Sequence, residues 1–377
     1  MTAGKQITIA HIITDLDMGG AEKMLSSLVL EMNPARFFNV VISLKDLGYW
    51  GPILQQRGIL VYALNMRPSV TSIFKLFTLW NILRSLRPDY IQGWMYHANI
   101  IASLIGKAAG VTNIFWNIRC SLMDLSKYNI GTTLMFKSGA WLSKMPKLII
   151  NNSQASINQH MRAGYKSDKW LYIPNGFDTI KYQPNAKIYQ QFRAQHNLPA
   201  RAIIIAMIAR YDPMKDHATF LQAANILAST HPDVYFVFAG NNVNSKNLGL
   251  QESISNKALR QRIILLNQIN NVQDILPAVD YLTQTSIYGE GFPNILGEAM
   301  ACGVECFSTD VGDALQLIGD FGYPIPKQDP TAIAAAWSKV IAQDPETKQQ
   351  RRDAARARII EMFSISKIVD VYSNCYT

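Results

Sequence analysis

Two glutamates, Glu290 and Glu298, enclose a glycine turn and the start of a helix in the stretch 286–303. Pro293 is typical of a helix start, where its missing N–H costs nothing. The first amides of a helix have no carbonyl partners and readily bind phosphate, so we expect residues 292–295 to donate to an anion. Carboxylates on both sides of a phosphate site would bind hydroxyl groups at the two ends of a sugar nucleotide.

Two cations, Arg210 and Lys215, follow the apolar run 202–208, which predicts a buried strand. The helical period of the apolar residues in 220–227 places Lys215 at the opening of a helix. An Arg fork and a Lys ammonium in one strand-to-helix loop can converge on a diphosphate. The chemistry that these residues predict is therefore stabilisation of a nucleoside diphosphate.

The run Glu-Gly-Phe-Pro-Asn-Ile-Leu-Gly-Glu resembles the signature of the retaining glycosyltransferases of family 4, which have the GT-B fold. The resemblance implies that the first Glu and the amides after it bind the transferred sugar, and that the second Glu binds the ribose. Arg210 and Lys215 match the family's Gly-Arg, short loop, Lys motif, with Ala209 in place of Gly. The predicted donor site comprises Gly19, Gly20, Arg210, Lys215, Glu290, Gly291, Phe292, Pro293, Asn294, Ile295 and Glu298.

The glycine pair in this donor site, Gly19 and Gly20, lies between a predicted strand at 7–14 and a helical pattern at 21–32. It resembles the family's Gly-Gly-Ala-Glu turn, which faces the donor diphosphate and the acceptor. Asp15 and Asp17 have the letters of a metal-binding Asp-x-Asp. That motif belongs to another fold, and cations can replace the metal here, so we expect no metal and no cofactor.

Polar residues after two further predicted strands form the expected acceptor side: Asn117, Arg119 and His97. In many family members a His follows the strand at 113–116, and this chain has Asn117 and Arg119 there instead. His97, from the neighbouring loop 94–99, is the alternative, and the sequence leaves this choice open. The resemblance and these loops together give Glu290, Arg210, Lys215, His97 and Arg119 as the candidate catalytic residues.

Apolar runs separated by helical patterns predict an α/β protein with two doubly wound, Rossmann-like domains that face each other across a cleft, as the GT-B resemblance implies. The predicted strands are 7–14, 39–44, 60–63, 89–93, 113–116, 147–151, 170–173, 202–208, 234–239, 262–266 and 280–283. Pro174-Asn175-Gly176 resembles the family's turn where the chain crosses between domains. We predict an acceptor domain at 1–183, a nucleotide-sugar domain at 184–362, and a C-terminal helix at 363–377 that returns to the first domain.

Composition and charge indicate a folded two-domain protein whose first half is basic. The 377 residues are 49% hydrophobic and 17% charged, which fits two folded domains, and the four cysteines have no disulfide or zinc spacing. Residues 1–180 contain 18 Lys and Arg against 9 Asp and Glu, so they account for the whole net charge of +9. The first domain should therefore meet an acidic partner, and no nucleic-acid-binding pattern is present.

Two segments of the basic half, 73–87 and 127–147, combine aromatic and basic residues in helical patterns. This mixture suits an anionic membrane surface, although helices that bury both faces against the sheet and each other would show it too. No run of 18 apolar residues and no signal peptide is evident, which favours a cytoplasmic protein. We expect peripheral attachment to the inner face of the cell membrane.

The sequence thus predicts a retaining glycosyltransferase, with a UDP-sugar favoured over a GDP-sugar as donor. The expected acceptor is a sugar linked to polyprenyl diphosphate, in the assembly of a bacterial surface polysaccharide or glycan. Two alternatives stay open. One is a nucleotide-sugar epimerase of the same fold, and the other is a non-catalytic subunit that binds a nucleotide sugar or acts as a scaffold.

Overall fold

The computed structural model describes residues 6–67, 72–121, 130–254 and 256–377. Within these ranges the chain forms two compact α/β units, each built around one parallel sheet. The first unit holds the residues up to Gly176 together with Ile365–Thr377, and the second holds Phe177–Ser364. Part of the predicted helical segment 127–147, including Lys127 and Tyr128, lies outside the described residues. This architecture confirms the predicted pair of Rossmann-like domains.

The first sheet has the strand order β3-β2-β1-β4-β5-β6-β7. Its strands are β1 Ile7–Ile13, β2 Phe37–Ser43, β3 Leu60–Ala63, β4 Tyr90–Trp94, β5 Ile114–Ile118, β6 Leu148–Asn151 and β7 Trp170–Tyr172. The helices are α1 Gly20–Glu31, α2 Trp50–Gln56, α3 Ser72–Leu86, α4 Met95–Ala108, α5 Ile130–Leu142 and α6 Gln154–Arg162. The order reverses between β1 and β4, which is where open sheets of this kind bind ligands.

Two apolar cores cover the faces of the first sheet. One is formed by α1, α2 and the last helix of the chain, with Leu28, Leu54 and Tyr372 fully buried. The other lies under α3, α4 and α5, where Leu79 and Phe136 are buried. The helix from the far end of the sequence is therefore part of the first unit's core.

The second sheet has the strand order β10-β9-β8-β11-β12-β13, with its reversal between β8 and β11. Its strands are β8 Ile203–Ile208, β9 Val234–Ala239, β10 Ile263–Leu265, β11 Tyr281–Gln284, β12 Glu305–Thr309 and β13 Tyr323–Ile325. The helices, including the returning α15, are α7 Ala186–Gln195, α8 His217–Ala228, α9 Leu248–Ser253, α10 Lys257–Arg260, α11 Asn294–Ala301, α12 Ala314–Ile318, α13 Pro330–Ile341, α14 Pro345–Phe363 and α15 Ile365–Cys375. None of the described helices is long and apolar enough to cross a bilayer.

The division between the units differs from the predicted one after residue 183. The chain enters the second unit at Phe177, whose ring stacks on Phe292 at 6.3 Å between centroids, and Tyr182 lies in the same core. The chain leaves that unit at Ser364, which pairs with Phe177 in a parallel bridge. Side-chain packing after the Pro-Asn-Gly turn therefore assigns residues 177–183 to the second unit.

Candidate active site

The carboxyl ends of β8 and β11, neighbours at the reversal of the second sheet, place two opposite charges together. Lys215 ends a short 3-10 turn, Pro213–Lys215, and Glu290 lies in the turn between β11 and α11. The Lys215 Nζ donates to Glu290 Oε1, which also accepts a hydrogen bond from Ser286 Oγ at 2.7 Å. Glu290 is buried, so this carboxylate is fixed in one orientation by a cation and a hydroxyl.

Backbone contacts hold the two loops of this pair against each other. Thr285 Oγ1 donates to the carbonyl oxygens of Lys215 and Asp216 at 2.8 and 3.0 Å. The amide of Ile287 donates to the Met214 carbonyl at 2.9 Å. Each loop therefore fixes the position of the other.

Lys215 was expected to open a helix, and the structure corrects this detail. Asp216 adopts a left-handed conformation with φ of 52°, and its carboxylate caps the next helix by accepting from the Thr219 amide at 3.2 Å. The helix α8 therefore begins only at His217. The kink separates Lys215 from the helix and directs its side chain to Glu290.

Arg210 lies two residues beyond β8 and is mostly exposed. Its Nε donates to Asp212 Oδ2 at 3.0 Å, and the other oxygen of Asp212 accepts from the Met214 amide at 2.9 Å. Burial raises the pKa of Asp212, but these hydrogen bonds and the nearby cations outweigh it and keep the pKa below its usual value. Arg210 is thus tethered beside the 3-10 turn that carries Lys215.

The helix α11 begins directly after Glu290 and its turn. Pro293 is the residue before the helix rather than its first residue, and its own side chain does not cap the helix. The ring of Phe292 is buried and packs on Phe363, with centroids 5.7 Å apart, so only its backbone is suited to contact a ligand. Glu298 is buried in the second turn of α11.

Gly312 supports the Glu290 turn from behind. It has a φ of +62°, and an added Cβ would lie 2.4 Å from the Gly291 oxygen and 2.5 Å from the Glu290 oxygen. The next amide, Asp313, donates to the Gly291 carbonyl at 2.8 Å. The sequence analysis did not predict that the turn at Gly312 supports Glu290.

The sequence analysis did not identify two further polar residues beside the Lys215–Glu290 pair. Ser286 and Gln284 line a small cavity at the carboxyl ends of β8 and β11, beside Lys215 and Ile295. Gln284 is buried, and neither polar atom of its side chain has a hydrogen-bond partner among the described residues. A glutamine at the end of a strand that is predicted to be buried was the signal that could have identified Gln284.

In the first unit, Gly19 precedes α1 in an extended conformation and Gly20 is the first helical residue. The carboxylate of Glu22 lies so close that a Cβ on Gly19 would be 2.0 Å from Glu22 Oε2. Burial raises the pKa of Glu22 to about 7, with Asp15 and Asp17 adding to the effect and backbone amides opposing it. The start of α1 therefore lies next to carboxylates of the chain itself. The sequence analysis predicted a diphosphate near Gly19 and Gly20 and did not take these carboxylates into account.

The acidic residues near α1 have a basic neighbour. Lys45 Nζ forms a 3.0 Å ion pair with Asp15 Oδ2, and the carboxylate raises the pKa of Lys45. Partial burial and the Lys45 charge lower the pKa of His97, which lies in the first turn of α4. Within the described ranges, no group of three or more His, Cys, Asp or Glu side chains could hold a metal ion.

Arg119 and Asn117 lie in a polar network with the last helix. Both Asn117 Nδ2 and Arg119 Nη1 donate to the Tyr372 hydroxyl, at 2.8 and 2.9 Å. The other end of the guanidinium contacts Asn175, and its carbon lies 5.7 Å from the Trp94 ring centre. Burial lowers the pKa of Arg119. These contacts give Arg119 a structural role in holding α15.

Residues 189–358, most of the second unit, match the family model described as "Glycosyl transferases group 1". A relative from Escherichia coli, UDP-Gal:alpha-D-GlcNAc-diphosphoundecaprenol alpha-1,3-galactosyltransferase, is 23% identical over 98% of this chain and 97% of its own length.

Solved structures extend the likeness to the whole fold. HepE of Anabaena, crystallised in complex with UDP, superposes with a TM-score of 0.85 at 20% identity, over 98% of this chain and 99% of that one. Sucrose-phosphate synthase from Thermosynechococcus elongatus gives 0.80 at 17% identity, over 98% of each chain. The chain therefore has the GT-B fold, and the match of its second unit to the group 1 glycosyl transferases supports a glycosyltransferase.

Proposed function

We propose that this protein is a retaining, family 4 glycosyltransferase that takes a hexosyl or N-acetylhexosaminyl group from a nucleotide-diphosphate donor, with UDP favoured over GDP. The observation that carries the proposal is the Lys215–Glu290 pair at the reversal of the second sheet, directly before the start of α11. Glu298 lies in the next turn of the same helix. HepE, which has the same fold, has been crystallised with UDP and with UDP-glucose, and this supports a UDP-sugar as donor.

The site suggests how the leaving group is stabilised. As the glycosidic bond stretches, negative charge grows on the β-phosphate, and Arg210, Lys215 and the first amides of α11 meet that charge. Preorganised donors of this kind can each contribute on the order of 10²-fold in rate, so the reaction needs no metal ion. Glu290 orients the sugar through its hydroxyl groups, and Glu298 binds the ribose. The departing phosphate takes the acceptor's proton, and transfer on the same face retains the anomeric configuration.

The acceptor in this proposal is a sugar linked to polyprenyl diphosphate, at the inner face of a bacterial cell membrane, in surface polysaccharide or glycan assembly. The basic first half of the chain supports an acidic acceptor. The Escherichia coli relative is named for a diphosphoundecaprenol-linked acceptor, and this supports the lipid-linked class.

A thermal-shift comparison tests the donor site. Wild type, Arg210→Ala and Arg201→Ala are heated with UDP, GDP, CMP, NAD or buffer, each with and without EDTA. Arg201 is the matched control, because it forms a 3.0 Å exposed ion pair with Asp233 on the same unit. A nucleotide at 100 times its dissociation constant adds about 2.7 kcal/mol of stability. We expect UDP to stabilise wild type and Arg201→Ala in EDTA, and Arg210→Ala to lose the effect.

Stabilisation by NAD alone, or by no nucleotide, would overturn the donor assignment. Incubation of the UDP-sugar with and without a polyprenyl-diphosphate-linked sugar then separates the alternatives. A transferase forms product only with acceptor, and proton NMR of that product reports the anomeric configuration. An epimerase converts the donor with no acceptor present, and a binding or scaffolding subunit releases no UDP in either mixture.

A further inference from the structure

Three neighbouring helices of the first unit, α3, α4 and α5, expose large apolar side chains on their outer sides. The inner sides of the same helices already pack on the sheet through residues such as Leu79, Ala102 and Phe136. The outer side chains are Ile73, Phe74 and Phe77 on α3, Leu104 on α4, and Leu134 and Trp141 on α5. We call these six residues the apolar face. Five of them are between 62% and 75% exposed, so the intramolecular core does not account for them.

The charged residues on the three helices themselves have one sign. The sequences of α3, α4 and α5 contain Lys75, Arg84, Lys107 and Lys137 and no Asp or Glu. Asp89, in the loop after α3, is engaged elsewhere, because its carboxylate accepts from the Thr8 amide at 2.9 Å. The face is therefore both apolar and cationic.

This combination selects one occupant. A second copy of the chain would bring like charges opposite each other across the contact, which opposes association. An anionic lipid surface attracts the cations and accepts the aromatic and aliphatic side chains at its interface. We propose that α3, α4 and α5 dock this protein, through the apolar face, on an anionic phospholipid membrane.

The topology relates this surface to the first unit's ligand edge. In a parallel α/β unit each helix starts at the carboxyl edge of the sheet, so Phe74 and Phe77 lie towards the edge that carries Gly20 and His97. If the proposed function is correct, a lipid-linked acceptor would be met at the edge nearest the bilayer. The docking itself does not depend on that activity.

Sedimentation with vesicles tests the docking. The full chain is mixed with vesicles of phosphatidylglycerol and phosphatidylcholine, or of phosphatidylcholine alone, at about 0.1 M salt. We expect binding to the anionic vesicles, and a fall of roughly tenfold per ring for the Phe74→Ser/Phe77→Ser variant, since each ring loses its burial in the interface. Leu248→Ser is the matched control, because Leu248 is 76% exposed on the second unit. That control should bind like wild type.

A charge variant provides a second arm. Lys75→Glu/Lys137→Glu should weaken binding to the anionic vesicles by tenfold or more and leave binding to neutral vesicles unchanged. The inference fails if wild type ignores anionic vesicles, or if the double serine variant binds them like wild type. It also fails if wild type is a dimer that the serine variant dissociates, since a second copy would then cover the face.

UDP stabilisation of each variant is measured in parallel. If UDP stabilises wild type and wild type does not bind the anionic vesicles, the docking inference fails alone. If vesicles bind and no nucleotide stabilises the protein, the donor assignment fails and the docking stands.

Discussion

The carboxylate of Glu290 is held by Lys215 on one side and by Ser286 on the other. Glu290→Gln removes its charge and keeps most of its shape. We expect turnover to fall by about 10²-fold or more, because the sugar is no longer oriented as charge develops on the leaving group. UDP alone should bind with little change, since the diphosphate contacts remain. Turnover assays and UDP titrations of the same preparation measure the two effects.

Glu298→Gln is the matched control for that experiment, because Glu298 is also a buried glutamate of this site. Loss of its ribose contact should weaken UDP binding itself. If the two substitutions affect UDP binding equally, the separate assignment of sugar and ribose to the two carboxylates is wrong.

Glu22 gives a prediction on pH. Its pKa is raised from 4.5 to about 7 in the folded protein, first by burial and then by Asp15 and Asp17. Between these values the folded state binds more protons than the unfolded state, so this residue lowers the stability as pH rises. Glu22→Gln should therefore be more stable than wild type by up to about 3 kcal/mol above pH 7, with the difference vanishing near pH 4.5.

Urea unfolding of both proteins at pH 5 and pH 8 measures this difference. A gain for Glu22→Gln that is equal at the two pH values would show that the substitution acts through packing rather than through the charge.

Sequence patterns located the candidate site residues in their loops, but they did not predict which side chains these residues contact. Glu290, Lys215 and Arg210 were found because a glycine turn and a βα loop are local features. The approach of Glu22 to Gly19 could not be read in this way, because it depends on a rotamer. The Arg119 contact with Tyr372 joins residues 253 positions apart, and no short pattern records such a pair.

At the scale of elements, the turn at Gly312 packs against the backbone of the Glu290 loop and supports it. Gly312→Ala adds a Cβ 2.4 Å from a backbone oxygen at a φ of +62°. Gly110→Ala is the matched control, because Gly110 also has a positive φ, +91°, and nothing lies within 4 Å of an added Cβ. The control should lose about 1 kcal/mol for the backbone conformation alone. Gly312→Ala should lose more stability, as followed by thermal unfolding, and should also lose UDP stabilisation.

If the two alanine variants lose equal stability and both respond to UDP, the Gly312 turn does not support the site. Equal losses would mean that the backbone shifts freely at this position.

The helix α15 is attached to the first sheet by polar contacts as well as by its apolar side. Tyr372→Phe removes the hydroxyl that Asn117 and Arg119 contact and leaves a buried guanidinium with fewer partners. We expect a loss of about 1–3 kcal/mol in the free energy of unfolding. Urea denaturation measures it, with Tyr49→Phe as control, since Tyr49 is 43% exposed. An unchanged midpoint for Tyr372→Phe would show that packing alone holds α15.

At the scale of the whole molecule, three buried histidines make the fold sensitive to acid. Burial lowers the pKa of His11, His160 and His217 from 6.5 to about 4. Unfolding below pH 6.5 therefore takes up protons, and stability should fall with each histidine by about 2 kcal/mol between pH 6.5 and pH 5. Glu22 has the opposite effect in the same pH range, because it releases about one proton on unfolding.

Unfolding free energies measured in urea across pH 5 to 7 give the net proton uptake, which we expect to be about two. A stability that stays level across this range would mean that these histidines are protonated in the folded chain.

The fold as a whole was predictable, because strand-helix alternation with buried apolar runs leaves few architectures available. The exact domain boundary was not, since residues 177–183 have no regular pattern and are assigned by the packing of Phe177 and Tyr182. Glu305 shows the same limit. It is fully buried at the start of β12 and lies 3.6 Å from Arg352, a residue of a distant helix.

The first unit is assembled from two separate parts of the chain, and this has a consequence for its synthesis. The ribosome makes residues 177–364 before it makes Ile365–Thr377, so the second unit can complete its core while the first still lacks α15. During that interval the buried surroundings of Leu28 and Trp94 would lack Ile368 and Tyr372. A nascent chain paused at this stage would expose the apolar surface that α15 later covers, and chaperones could bind it. The first unit would become resistant to protease only after α15 emerges from the ribosome.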